Sequence, residues 1–514
     1  MRKKETDFVH NSVKRLVLVV LAVLLQIAWM VFLLTMFNKY FSTLCNVLFG
    51  IVGTVLVLRI YTGDENSASK ILWIIVILSL PVLGLCLYML FGHRYANKNM
   101  RLRSERVNAK LSEEITFDRD VMEQLEETDI GFANQCRYLE NYGKYPLYRN
   151  TDVEFYADTK DGLLAQLEEL KKAEHFIFME YHAIEEREAF GQIREVLAER
   201  AANGVEVRLL YDDVGSVGFI NTDFVKRMEA LGICCRVFNE VMPVLKLFMN
   251  NRDHRKITVV DGRVGFTGGY NLADEYFNIT HPYGQWKDTG VKLTGDAVKS
   301  LTAMFLEMWN IEKESDHGFS QYFQKFDYRA KETGFVQPYA DTPLGAECIG
   351  ENVYMNLIKQ AKRRVYITTP YLGLSDEMRR ELCMAAQRGV DVRIVTPGIP
   401  DKKMIFRLTR SYYAGLVKRG VRIYEYSPGF MHAKQVLCDG DMAVVGTINF
   451  DYRSFYHHFE NAVLLCGCKA IEQIGNDFQD IFAVSGEVTE SYRQKASRPL
   501  RLGQCVLRLL APLL

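Results

Sequence analysis

His254 and Lys256 are followed by Asp261 and then by Gly268-Gly269-Tyr270-Asn271, and His432 and Lys434 by Asp439 and then by Gly446-Thr447-Ile448-Asn449. Both copies read H-x-K, four residues, D, six residues, G-G/T-x-N. Such a match, made twice at identical spacing in one chain, is not a chance pattern. Two imidazoles sharing one site can move a phosphoryl group without a metal: one attacks phosphorus, and the other protonates the departing oxygen. An ammonium beside each imidazole suits an anionic phosphate and repels a divalent cation. No metal built from two His and two Asp is expected, and no cofactor is implied.

Both motifs need the same local frame. Asp261-Gly262 and Asp439-Gly440 each join two apolar runs, a strong hairpin signal. Residues two apart on a strand share a face, so His254 and Lys256 point together, as do His432 and Lys434, while Arg255 and Ala433 face away. Asp261 and Asp439 then fall in the turns, which is a structural position. The Gly-Gly or Gly-Thr bend that follows lets backbone approach a ligand. Asn271 and Asn449 end that bend as amide donors.

The surrounding pattern is also duplicated. Residues 175–181 read as a buried strand, 191–202 as a helix and 204–211 as a second strand. The order recurs at 364–370, 376–388 and 389–395, and Gly204-Val-Glu-Val-Arg resembles Gly389-Val-Asp-Val-Arg. Alternating strands and helices predict an α/β fold with flanked mixed or parallel sheets. The expected division is an apolar region over 1–95, a charged helical connector over 96–149, related domains over 150–330 and 331–495, and an amphipathic tail over 496–514.

Composition narrows the function. The formal net charge is zero, so nothing global favours nucleic acid. The 11 cysteines show no metal-type spacing and fit reduced thiols. Residues 16–37 are apolar apart from Gln26 and Thr35, and further apolar runs cover 44–58 and 71–91, the last containing Pro81. About 20 such residues span a bilayer, so two or three transmembrane helices are expected. Arg2, Lys3, Lys4, Lys14 and Arg15 precede these runs, and Arg94, Lys98, Arg101, Arg103 and Arg106 follow them. The positive-inside rule places both ends, and the catalytic region, in the cytoplasm. Three crossings would conflict with that, and the short second run is the expected exception.

At the two motifs the chain resembles the phospholipase D superfamily, and more closely its bacterial cardiolipin synthases. The resemblance is carried by Leu80-Pro-Val-Leu-Gly84 and Tyr88-Met-Leu-Phe-Gly92 at the end of the apolar region. It continues through Gly268 to Tyr276 and Trp286-Lys-Asp288 in the first half. Thr369-Pro-Tyr371, Gly446 to Phe455 and Phe459-Glu-Asn461 carry it in the second, and Arg508-Leu-Leu-Ala-Pro-Leu-Leu514 ends the chain. It implies two related α/β/α halves forming one active site behind N-terminal transmembrane helices. It also implies a metal-free transfer between two phosphatidylglycerol molecules at the bilayer, giving cardiolipin and glycerol.

By the same resemblance His254 is the nucleophile and forms a phosphatidyl-histidine, and His432 is the acid and base. Asp288 orients His432, and Glu460 orients His254. Lys256, Lys434, Asn271 and Asn449 hold the non-bridging oxygens, and Asp261 and Asp439 are counted with the catalytic motifs. An ordinary His pKa near 6.5 would serve both imidazoles with modest tuning. Two departures, Ile448 and the pair His457-His458, are read as incidental. The tail either lies on the membrane surface or docks as a terminal helix. A phosphatidylserine-forming transferase, a lipid hydrolase, a nuclease and a non-catalytic membrane scaffold remain as alternatives. The apolar N-terminus and neutral charge disfavour the nuclease.

Overall fold

The computed structural model describes residues 42–92, 98–240, 251–493 and 498–513, with scattered positions between 17 and 36. The first apolar run, 16–37, lies largely outside the described residues. The second falls within the helix Ser42–Thr62. The third is not one span. It is two helices, Ser67–Ser79 and Pro81–Phe91, broken at Leu80, and Trp73 meets Tyr88 edge-on with ring centroids 5.4 Å apart. Pro81 opens the second helix, where its missing N–H costs nothing. At 1.5 Å per residue these helices reach only about 20 and 16 Å, short of the ~30 Å hydrocarbon layer. Among the described residues no helix is long and apolar enough to cross a membrane.

The connector forms three helices, Lys98–Leu111, Arg119–Thr128 and Ile130–Tyr138. Behind it stand two sheets of matching topology. The first half supplies β1 (Thr151–Tyr156), β2 (Phe176–Tyr181), β3 (Glu206–Asp212), β4 (Cys234–Phe238), β5 (Arg252–Asp253), β6 (Lys256–Val260), β7 (Val264–Gly268), β8 (Gln285–Lys287) and β9 (Gly290–Gly295). The second supplies β10 (Phe335–Asp341), β11 (Arg364–Thr368), β12 (Asp391–Pro397), β13 (Arg422–Tyr426), β14 (Gly429–Met431), β15 (Gln435–Cys438), β16 (Met442–Gly446), β17 (His458–Cys466) and β18 (Ser485–Glu487). One sheet runs β1-β9-β7-β6-β2-β3-β4 and the other β10-β17-β16-β15-β11-β12-β13-β18. β2, β3 and β4 are parallel, as are β11, β12 and β13, and the remaining pairs within the two sheets are antiparallel.

The sheets pack face to face. Phe178, Val259 and Leu293 of the first share one core with Leu437, Val445 and Val463 of the second, and the buried helix Val298–Glu312 joins it. Two short exchanges stitch the halves further. β5 pairs in parallel with β17, and β8 with β14. The tail forms the helix Arg498–Leu510 and docks. Arg508 lies 4.5 Å from the Tyr412 ring centroid, and Ala511 is buried. The other face of that helix leaves Leu502 and Val506 exposed.

Candidate active site

The hairpins β6–β7 and β15–β16 hold the turns of the two motifs, and His254, His432 and Lys434 lie in the segments that lead into them. Asp261 and Gly262 take φ of 52° and 66°, and Asp439 and Gly440 take 54° and 98°, the left-handed backbone that an Asp-Gly turn supplies at low cost. The Asp261 carboxylate accepts the backbone N–H groups of Glu174, His175 and Phe176 at 2.8–2.9 Å. Asp439 accepts those of Lys362, Arg363 and Arg364 at 2.7–2.9 Å. Each is spent on locking its turn to the start of the neighbouring strand. This agrees with their turn position. Asp261→Ala is expected to cost about 2–4 kcal/mol of stability through three lost charge-assisted bonds. A lowered Tm with kcat within about threefold of wild type in the folded enzyme would show it; a much larger fall in kcat would return Asp261 to the chemistry.

The stitches between the halves aim the imidazoles. β5 leads into His254, whose N–H donates to Phe459 O at 2.9 Å, so the next residue, Glu460, meets the ring: His254 Nδ1 lies 2.8 Å from Glu460 Oε2. In the mirror arrangement β14 leads into His432, whose N–H donates to Lys287 O at 2.8 Å, and His432 Nδ1 lies 2.5 Å from Asp288 Oδ2. Each carboxylate thus reaches the histidine of the opposite half. Both rings are nearly buried, 8% and 5% exposed, and both line one cavity of about 460 Å³.

The bends explain the one difference between the motifs. A Cβ on Gly269 would stand 2.0 Å from Asp288 Oδ1, so only glycine lets that carboxylate lie against the hairpin. At the matching position Thr447 instead donates its hydroxyl to Glu460 Oε2 at 2.5 Å. Asn271 and Asn449 also line the cavity. Asn271 donates to the Tyr276 hydroxyl at 2.8 Å, and Asn449 Oδ1 has no hydrogen-bond partner among the described residues.

Both lysines are fully enclosed. Lys256 Nζ donates to His254 O at 2.7 Å, and Lys434 Nζ donates to His432 O. Lys434 Nζ also approaches His432 Nδ1 at 2.7 Å. A ring nitrogen cannot serve both contacts. The Lys434 charge and hydrogen bonds from His432 and the Thr289 N–H work against burial to hold Asp288 below its ordinary pKa, so the Nδ1 hydrogen of His432 points to the Asp288 carboxylate.

Electrostatics separate the two rings. Burial, then Lys434, pushes His432 down to about 3. Burial, then Lys256 and the rings of His182 and His458, holds His254 well below its ordinary value. Both imidazoles are therefore neutral, a far larger displacement than the modest tuning expected from sequence. Burial also lowers Lys256 to about 8 and Lys434 to about 7, and raises Glu460 against the opposing pull of Lys256 and Thr447.

Three features were not legible as site residues. His182, at the end of β2, donates through Nδ1 to Asp253 O at 2.6 Å and stacks edge-on against His254 with centroids 4.9 Å apart. His458 was read as incidental, yet its ring lies 5.4 Å from that of His254 on the cavity wall. Arg453 Nε donates to His458 Nε2 at 3.3 Å, so the proton of the neutral ring sits on Nδ1, facing Glu460 Oε1 at 3.4 Å. Tyr276, Trp286 and Phe430 surround His432 with centroids 5.1–5.8 Å away. Only Trp286 carried any signal, through its place two residues before Asp288.

Ligand-type atoms of His254, His458 and Glu460 lie within 4.8 Å of one another, close enough to hold a metal ion. His254 Nδ1 is engaged by Glu460 Oε2, whereas His458 Nδ1 and Glu460 Oε1 lie 3.4 Å apart with no hydrogen-bond partner among the described residues, and the charges of Lys256 and Arg453 beside the cluster oppose a cation. The four-residue set of two His and two Asp is not gathered, because Asp261 and Asp439 are held at the turns.

Two stretches, 167–309 and 354–482, match the family model described as cardiolipin synthase, PLD-like domain, and residues 51–93 match the phospholipase D-nuclease N-terminal model. A cardiolipin synthase of Geobacillus thermodenitrificans is 33% identical over 517 residues, covering 98% of this chain and 100% of its own. A cardiolipin synthase 2 of Bacillus cereus is 32% identical over 88% of each chain. An uncharacterised protein of Streptococcus mutans is 40% identical over 89% of this chain and 99% of its own. The phosphatidylserine synthase of Haemophilus influenzae shares the fold, with a TM-score of 0.53 and 14% identity over 74% of this chain and 99% of that one. With one cavity built from two matched halves and full-length relatives of this kind, the chain belongs to the phospholipase D-like cardiolipin synthase family of phosphotransferases.

Proposed function

We propose that the cavity joins two phosphatidylglycerol molecules into cardiolipin and glycerol. The reading is carried by the crossed pairs His254–Glu460 and His432–Asp288 opening on a single cavity. Nε2 of neutral His254 attacks the phosphorus of the first lipid. An N–P bond forms, the P–O bond to glycerol breaks, and His432 gives its proton to the departing oxygen. The primary hydroxyl of the second lipid then returns a proton to His432 while its oxygen displaces His254 from phosphorus. Lys256, Lys434, Asn271 and Asn449 hold the non-bridging oxygens through both steps.

The environments favour this division of labour. His432 has an ionised acceptor in Asp288, which stabilises an imidazolium, and three aromatic rings pack around it. His254 is flanked by two further imidazoles and stays neutral, as a nucleophile must. An arriving phosphate anion offsets the two ammonium groups and raises His432 toward protonation.

A pH dependence follows. A lysine whose pKa is lowered loses its charge as pH rises through that lowered value, here about 7 for Lys434 and about 8 for Lys256. We expect kcat/KM for phosphatidylglycerol, which reports the free enzyme, to fall above pH 7–8 by about tenfold per unit for each required charge. Lys434→Arg should carry that fall to higher pH. A profile flat to pH 9 would remove the lysines from the phosphate clamp.

We also read the apolar N-terminal region as seating the enzyme in the cell membrane with the catalytic region cytoplasmic. The folded-back pair Ser67–Ser79 and Pro81–Phe91 accounts for the run that need not cross, which lets both basic flanks lie on one side. Membrane seating surrounds the site with lipid alcohols and keeps water from competing for the intermediate.

Incubation of the purified full chain with phosphatidylglycerol alone, with lipid products identified by mass spectrometry, tests the reaction. Cardiolipin with released glycerol is expected. Phosphatidic acid as the sole product would make the protein a hydrolase, and no turnover would make it a scaffold.

A further inference from the structure

We infer that Arg252 and Arg453 form a second anion subsite in the active cavity, which takes the phosphodiester of the acceptor lipid. Both residues line the cavity, and neither has a place in the catalysis derived above. The inference rests on the transfer reading, since only a reaction joining two anionic lipids needs a second phosphate site.

Arg252 is 3% exposed. Its Nε is 3.1 Å from Asp212 and 3.2 Å from Asn251 O, and its Nη2 donates to Asn239 O at 2.7 Å. Its Nη1 is buried, with no hydrogen-bond partner among the described residues. A guanidinium held on two edges with its third nitrogen unmatched is preorganised for an oxygen anion. Arg252 lies two residues before His254 and both line the cavity, so this donor belongs to the wall that carries the nucleophile.

Arg453 approaches from the other half. Its Nε donates to a neutral imidazole, Nε2 of His458, at 3.3 Å, and no side-chain carboxylate salt bridge engages its guanidinium among the described residues. β5 pairs with β17 so that Arg252 stands opposite His458, which brings the two arginines to one wall. Burial lowers Arg453, and the charge of Arg252 adds to it against the pull of Asp451. The nearby carboxylates are already engaged. Asp212 accepts the N–H groups of Gly215 and Asp253 beside Arg252, and Asp451 caps its helix through Ser454 N.

Product geometry agrees. The two phosphates of cardiolipin are separated by a three-carbon bridge. One lies at His254 and His432 among the lysines, and the other must lie one glycerol away. Arg453 contacts His458, whose ring centroid lies 5.4 Å from that of His254, and both line the same cavity.

The test compares two reactions of the full chain in detergent micelles of phosphatidylglycerol. One is cardiolipin formation. The other is exchange of radiolabelled glycerol into phosphatidylglycerol, which uses the same nucleophile and leaving group but an acceptor with no phosphate. Arg453→Gln should lower kcat/KM for cardiolipin formation by about 10- to 100-fold through lost charge-assisted bonds. Glycerol exchange should change by less than about threefold, the scale of an uninvolved residue. Arg453→Lys should recover part of the loss, and Arg252→Lys should show the same selectivity if it folds. Equal loss in both reactions, or loss in neither, overturns the subsite. A wild-type chain that exchanges glycerol but never forms cardiolipin overturns the transfer reading itself, and the subsite with it.

Discussion

His254→Ala will eliminate both turnover and the covalent lipid adduct, a loss of at least about 10⁴-fold. His432→Ala will eliminate turnover of phosphatidylglycerol yet still yield an adduct, slowly, from a lipid ester whose leaving group needs no proton. Acid quenching and mass spectrometry of the intact chain read the adduct directly. The asymmetry follows from the surroundings of the rings. The two share burial and a lysine neighbour, but ionised Asp288 and the rings of Tyr276, Trp286 and Phe430 adjoin only His432. That ring is suited to carry a proton. His182 and His458 adjoin His254 and oppose a charge there until the N–P bond forms. An adduct found in His254→Ala and lost in His432→Ala would exchange the roles.

The carboxylates should differ as sharply. Asp288→Asn replaces an ionised acceptor at 2.5 Å from His432 Nδ1 with an amide that can turn a donor toward the ring. The wrong tautomer then dominates, and losing such an acceptor costs about 10³- to 10⁴-fold in kcat. Glu460→Gln should cost only about 10- to 100-fold, because burial already pushes that carboxyl toward its neutral form, and an amide oxygen can still accept from Thr447 and His254. Both substitutions are nearly isosteric, so unchanged Tm values would assign the losses to chemistry. The reverse order of severity would place the general acid on His254.

Much of this site was readable from residue order. Asp-Gly fixed both turns, while the pairing of each histidine with its lysine does not come from strand alternation, because His254, His432 and Lys434 stand just outside the strands. The repeated strand–helix–strand pattern gave two related halves. These are local properties: strand periodicity and left-handed turn backbone depend on neighbours within a few residues. The crossed carboxylates Asp288 and Glu460 came from family resemblance and not from spacing, since each lies on the opposite half from the ring it meets.

Tertiary packing decided the rest. The exchanges β5–β17 and β8–β14 bring both rings to one cavity, and they carry His458, Arg453 and Arg252 with them. No periodicity marks a residue whose role depends on the far half of the chain, which is why His458 passed as incidental. Burial is likewise a sum over distant neighbours. It pushed His432 down to about 3 and Lys434 to about 7 and lowered His254 in the same direction, where their sequence context predicted little. The third apolar run had the length of a membrane span, but the break at Leu80 and the Trp73–Tyr88 contact fold it back. Residue order specified which groups are present and which way each strand turns them. Only the closure of one half upon the other specified what each group faces, because desolvation and cross-half hydrogen bonds arise when the two surfaces meet.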